Sequence, residues 1–152
     1  VVVKRAHPSV RYTGIDENDA ALEAAKGRLA AWGAEARLQR GRGTAKDFPD
    51  ASFDVVFACF QLCALAPDEK VALLGELRRI VRPSGRVVLS DLSSPARAPL
   101  RLLAKPLGTP LTGPIASQFR GRVPALLREA GFVSVKEVDR FRELVVTWRA
   151  EP

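Results

Sequence analysis

The stretch RYTGIDENDA sets an acid, Asp16, at the end of a short β-prone run and begins a helical pattern two residues later. A carboxylate in that place can cap the helix or accept hydrogen bonds from a ligand. Asn18 is already a strong N-cap, and Asp19 falls in the first turn, where negative charge suits the helix dipole. On these residues alone both tasks stay open to Asp16. Other residues able to do chemistry are few. Gly41-Arg42-Gly43 reads as a turn. Cys59 and Cys63 lie four apart near the end of an apolar run, and the single histidine, His7, is far away, so no metal-ligand spacing exists. Two cysteines in such a run read first as core residues. Asp91 closes RVVLSDL as either a substrate-side acid or a loop cap. No side chain stands out as a general base.

The elements that must hold these residues alternate. VRYTGI is expected to be a strand, followed by a helix whose apolar positions are Ala21, Leu22, Ala25, Leu29 and Trp32, with Gly33 as its stop. EARLQRG reads as a second strand and GRGTAKDFPDAS as a loop. FDVVFACF is a nearly unbroken apolar run of strand length, expected to be buried on both faces. APDEKVALLGELRRIVRPSG is a helix, capped by Asp68, with Arg78, Arg79 and Arg82 in its last turn. Its buried stripe is expected to be Val71, Leu74, Leu77 and Val81. RVVLSDL is the next strand. Ser93 to Ser117 holds five prolines and two glycines and reads as a loop, with a short helix near Leu100 to Leu103. FRGRVPALLREAGF is a helix ended by Gly131, and VSVKEVDRF and RELVVTWRA form a closing antiparallel pair.

This alternation implies one α/β domain over residues 1–152, built on an open sheet with helices on both faces. Ligands on such sheets bind outside the carboxyl ends of the strands, which brings Asp16, Gly41 to Thr44, Cys59 and Asp91 to one rim. A hydrophobic share of 47% against 27% charged fits a globular chain, and no apolar run approaches the roughly 20 residues of a membrane span. Reduced thiols in the cytoplasm are the default for so few cysteines. The net charge of +7 raises the question of nucleic acid. Yet 18 of the 24 basic residues are Arg in an Ala-rich chain, a bias of composition, so nucleic acid is the less favoured partner.

In order and spacing, YTGID, FPDASFDVVFA, LGELRRIVRPSGRVVLSDL and LLREAGFVSVKEV resemble the class I S-adenosylmethionine-dependent methyltransferases. The branch is that of the ubiquinone- and menaquinone-type enzymes, and the likeness runs from about Val10 to Trp148. It implies a Rossmann-like sheet, mostly parallel with an antiparallel C-terminal pair. It also implies that Asp16 accepts hydrogen bonds from both ribose hydroxyls of the cofactor, because two carboxylate oxygens match a vicinal diol. Glu17 and Asn18 would line the adenosine side, and Ala21 would give less contact with adenine than a larger side chain. Where relatives place an acid against the adenine amino group, this chain has Arg42. A cation cannot accept that hydrogen bond, which leaves the Gly43 N–H as the contact. Asp54 would be structural. Cys59, Phe60 and Gln61 would face the cofactor, with Cys63 and Ala64 where relatives often carry His.

The family's first strand and its G-x-G-x-G loop have no counterpart here. The opening VVVKRAHP looks like the tail of the helix that follows that loop, with His7 in a helix-end turn. A fragment of a longer chain is expected, with the strands on either side of the missing one facing a gap. The implied activity of the parent is methyl transfer from S-adenosylmethionine to a small molecule. Residues 93 to 122 would be its lid or substrate wall, with five basic residues and no acid from Arg97 to Arg122. Two other readings stand beside it: a truncated remnant or interaction module without activity, and an RNA methyltransferase.

Overall fold

The computed structural model describes residues 2–41, 48–93 and 122–152. The chain divides into two compact units, Val1–Thr44 and Ala45–Pro152. Residues 42–47 of the expected loop, the short helix near 100–103 and residues 94–121 of the expected wall lie outside the described residues.

The first unit holds α1 (Val2–Ala6), β1 (Thr13–Asp16), α2 (Asp19–Ala31) and β2 (Arg37–Arg40). β1 and β2 pair in parallel from Thr13 opposite Arg37 to Asp16 opposite Arg40. The crossover between them is α2, entered through Asn18, whose side chain accepts from the N–H groups of Ala20 at 2.9 Å and Ala21 at 3.3 Å. α2 buries Leu22 and Leu29, while Trp32 at its end is 54% exposed, so the expected stripe is narrower than the spacing suggested. Gly33 takes a left-handed conformation (φ 57°) and turns the chain toward β2.

The second unit holds β3 (Phe53–Cys59), a 3₁₀ turn (Leu62–Ala64), α3 (Pro67–Ile80), β4 (Val81–Leu92), α4 (Val123–Glu129), β5 (Ser134–Phe141) and β6 (Val145–Glu151). Its sheet runs β3-β4-β6-β5. β3 and β4 are parallel, and β6 is antiparallel to both β4 and β5.

The core of this unit lies on one sheet face. Ala58, Val87, Leu89, Val146, Trp148 and Ala150 meet Leu73, Leu74 and Leu77 of α3 and Val123, Leu126 and Leu127 of α4. On the opposite face Phe57 is 53% exposed, and Val88, Ser90 and Leu92 are only half-buried. β3 is thus not buried on both faces as its apolar run suggested. Both helices of the unit pack on one side, and β4 is its single strand neighbour among the described residues.

Helix α3 stops earlier than its sequence suggested. It ends at Ile80, and β4 begins at once with Val81, its register against β3 shifting between Phe53 and Val55. Arg82 therefore leaves the helix and pairs with Asp54, which gives Asp54 the structural part expected of it. Gly85 is needed at this shift, since a Cβ there would lie 2.5 Å from the Asp54 carbonyl oxygen. At the other end Asp68 is not the cap. Glu69 instead accepts the N–H of Ala66 at 2.9 Å, and Pro67 opens the first turn where its missing N–H costs nothing.

Candidate functional site

Two strand-end rims carry the chemistry, one in each unit. In the first, Asp16 is the last residue of β1 and is exposed. One oxygen, Oδ1, accepts the Asn18 N–H at 2.9 Å, which orients the carboxylate at the mouth of the strand. Among the described residues no group donates to its Oδ2, and the residue is exposed. The Asp16 carbonyl takes the Gly41 N–H at 3.0 Å, drawing the exit of β2 against the exit of β1. Gly41 has to be glycine for that approach, because a Cβ would sit 2.9 Å from Ile15 Cγ2. The rim therefore combines an outward carboxylate, a helix N-terminus at Asn18 and a backbone with no side chain at 41. Such a set suits a polar ligand bearing hydroxyl groups. Glu17 is exposed beside it. The predicted residues Arg42 and Gly43 lie outside the described residues.

In the second unit the rim is formed by the ends of β3 and β4, where Cys59 stands opposite Ser90 and the Phe60 N–H donates to the Ser90 carbonyl at 2.9 Å. Phe60 adopts a left-handed conformation (φ 53°), uncommon for a bulky residue. The chain then turns through Leu62–Ala64. Asp91, one residue from the end of β4, is fully buried beneath that turn. Its Oδ2 accepts the Leu62 N–H at 2.8 Å and its Oδ1 accepts the Leu92 N–H at 2.7 Å. Cys63 lies in the same turn. Of its two sequence readings, the loop cap is the one this geometry matches. Burial raises the Asp91 pKa, and the hydrogen bonds from Leu92, Leu62 and Cys63 work against that rise.

Neither cysteine is a disulfide partner, and Cys59 is exposed at the strand tip. Burial about the thiol, then the charge of Asp91, pushes the Cys59 pKa up. The same two causes raise Cys63, whose Sγ also lies 3.1 Å from the Phe60 carbonyl. High-pKa thiols are poor nucleophiles at neutral pH. No metal-ligating cluster occurs among the described residues.

One residue of this rim escaped the sequence reading. Lys70 in the first turn of α3 is 1% exposed. Burial lowers its pKa, while Asp91 first and Cys63 second pull it back up. A signal was available: Lys70 precedes Leu73, Leu74 and Leu77 at helical spacing and so shares their face.

Comparison with known proteins adds to this geometry. The profile of a family described as a methyltransferase domain matches residues 2–85. The demethylmenaquinone methyltransferase of Thermus thermophilus is 31% identical over 103 residues, covering 68% of this chain and 46% of that protein. The ribosomal RNA small subunit methyltransferase H of Nostoc sp. is 40% identical over 57 residues, covering 38% of this chain and 19% of that one. Among solved structures, the S-adenosylmethionine-dependent methyltransferase SibL in its apo form superposes with a TM-score of 0.72 at 27% identity. That match covers 99% of this chain and 46% of SibL. The chain thus spans less than half the length of these proteins.

Proposed function

The chain belongs to the methyltransferase-domain family, and from that premise we propose that the protein moves a methyl group from S-adenosylmethionine to a small-molecule acceptor. The observation that carries this reading is the exposed Asp16 carboxylate at the mouth of β1, oriented by the Asn18 N–H. An exposed carboxylate oriented by one N–H suits a ribose diol, and the bare backbone at Gly41 leaves room beside it. Asp16 would hold the ribose, with Glu17 and Asn18 along the adenosine and Arg42 and Gly43 near the base. Cys59 is assigned to the cofactor at the end of β3. The likeness to a demethylmenaquinone methyltransferase and to SibL supports both the cofactor and a small acceptor.

When bound, S-adenosylmethionine supplies an electrophilic methyl group on a sulfonium. The work left to the chain is placement: holding the ribose at Asp16 and the acceptor in line, so that proximity supplies most of the rate. Of the acid–base groups at the strand ends, Asp91 and Lys70 are sealed from solvent, which assigns them to structure and not to proton abstraction. No described helix is long and apolar enough to cross a membrane. Free thiols at Cys59 and Cys63 accord with a reducing, cytoplasmic location.

A calorimetric titration with S-adenosylhomocysteine tests the reading. Micromolar binding is expected, and its loss in Asp16→Ala would tie it to the carboxylate. Absence of binding by the full chain would favour the inactive remnant. A second reading, an RNA methyltransferase, draws on the Nostoc relative and the net charge of +7. It requires RNA affinity that falls steeply with salt, and a flat response removes it.

A further inference from the structure

We propose that Asp19 is a positioning residue: it draws the Arg40 guanidinium away from Asp16 and so keeps the Asp16 carboxylate open to the cofactor ribose. The link to the ribose rests on the function proposed above; the pairing of Arg40 with one acid and not the other does not.

The ladder between β1 and β2 ends with Asp16 opposite Arg40. Residues opposite each other on neighbouring strands share a sheet face, and the strands lie about 4.8 Å apart. An arginine side chain spans that gap, and its planar fork fits a carboxylate with two parallel hydrogen bonds. The register alone therefore predicts an ion pair between Arg40 and Asp16. Such a pair would put a cation on the oxygens that a diol needs. No such pair occurs among the described residues. Arg40 Nε lies 3.7 Å from Asp19 Oδ1 instead.

Asp19 can compete because of how α2 begins. Asn18 is the cap and satisfies the N–H groups of Ala20 and Ala21, so the Asp19 carboxylate is not used in capping. Asp19 opens the helix three residues after Asp16, which sets a second acid beside the exit of β2. Asp16 is the weaker competitor, since its Oδ1 already accepts the Asn18 N–H at 2.9 Å and a bidentate grip by Arg40 would have to share that oxygen. The side chains of Arg40 and Asp19 are 71% and 70% exposed, and an ion pair so exposed contributes little to stability. Dividing one cation between two neighbouring acids needs only such a small bias. The same carboxylate in the first turn also suits the helix dipole, which is the purely structural role that the test has to separate.

The test uses Asp19→Asn, Arg40→Gln and the double variant in the full chain. Asp19 and Arg40 are both exposed, so the core is untouched in each. S-adenosylhomocysteine affinity is read by calorimetry, and the crystal structure of Asp19→Asn is solved without ligand. Asp19→Asn should move the Arg40 guanidinium onto Asp16 and weaken S-adenosylhomocysteine binding by about three- to fivefold, the size of one exposed ion pair. Adding Arg40→Gln should restore the wild-type affinity, because the competing cation is then gone. Raising sodium chloride to about 0.5 M should shrink the defect of Asp19→Asn, since salt screens exposed charges. A role in the helix dipole alone would weaken the single and the double variant alike, and that result would overturn the proposal. Unchanged affinity in Asp19→Asn would do the same, as would a crystal structure in which Arg40 stays turned from Asp16. If the wild type binds no S-adenosylhomocysteine, the functional reading fails and the crystal structure decides the pairing by itself: Arg40 on Asp16 supports it, and Arg40 turned away overturns it.

Discussion

Asp16 and Asp91 are the same residue type at corresponding places, each at the carboxyl end of a strand, yet their surroundings differ in nearly every respect. Asp16 ends a two-stranded sheet, is exposed, and spends one oxygen on the Asn18 N–H. Asp91 sits on the helix-covered face of a four-stranded sheet with no exposure and backbone donors on both oxygens. The strand end supplies the address, and solvation decides the task. A carboxylate with an idle oxygen in water can bind a ligand. One whose oxygens are occupied in the core can only hold other parts of the protein in place.

That contrast predicts a crossed pattern of mutational effects. The largest is expected from Asp91→Ala, which strands the Leu62 and Leu92 N–H groups. At about 1–3 kcal/mol for each buried donor left unpaired, urea denaturation should register a loss of about 2 kcal/mol or more. Asp16→Ala should change stability by no more than about 0.5 kcal/mol. A loss from Asp16→Ala as large as that from Asp91→Ala would break the comparison.

Next in size, Asp16→Ala should weaken S-adenosylhomocysteine binding by about 10- to 100-fold, the range for removing a charged hydrogen-bond acceptor. Isothermal calorimetry reads this directly, and unchanged affinity would remove the ribose role. Asn18→Ala comes third. It removes the cap from α2 and should cost about 1 kcal/mol in chemical denaturation, while the Asp16 carboxylate keeps its bond to the backbone N–H of residue 18.

The smallest effect is a pH dependence. Burial raises the Asp91 pKa, so the folded protein holds that proton more tightly than the unfolded chain. Its contribution to stability is greatest below the unfolded aspartate pKa and declines as pH rises through the raised folded value. Subtracting the stability–pH profile of Asp91→Asn from that of the wild type should isolate this decline. A difference of opposite slope would mean that the hydrogen bonds outweigh burial.

The rim of the first unit was legible from local signals. Asn18 before an alanine-rich helix, Gly33 after it and an acid ending the strand are all decided within a few residues, and the structure has them in those parts. The rim of the second unit was harder to read, although its periodicity was present. Asp91 is in phase with Val87 and Leu89 on β4, and Lys70 with Leu74 and Leu77 on α3. A charged side chain on a buried stripe is normally a reason to doubt the stripe. Such burial is decided only when distant elements pack on the residue, as α3 and β4 do in one core. The end of α3 was misplaced for a related reason. Nothing local stops the helix at Ile80, but pairing with β3 draws Val81 into the sheet and Arg82 onto Asp54.

By itself the sequence determined the succession of strands and helices, the caps of α2 and the outward acid at position 16, because these depend on neighbours within one or two turns. Tertiary structure alone decided that Asp91 and Lys70 would each be sealed from solvent and that β3 would keep one face open. Burial is a property of what packs on a residue, and the packing partners are distant in the chain.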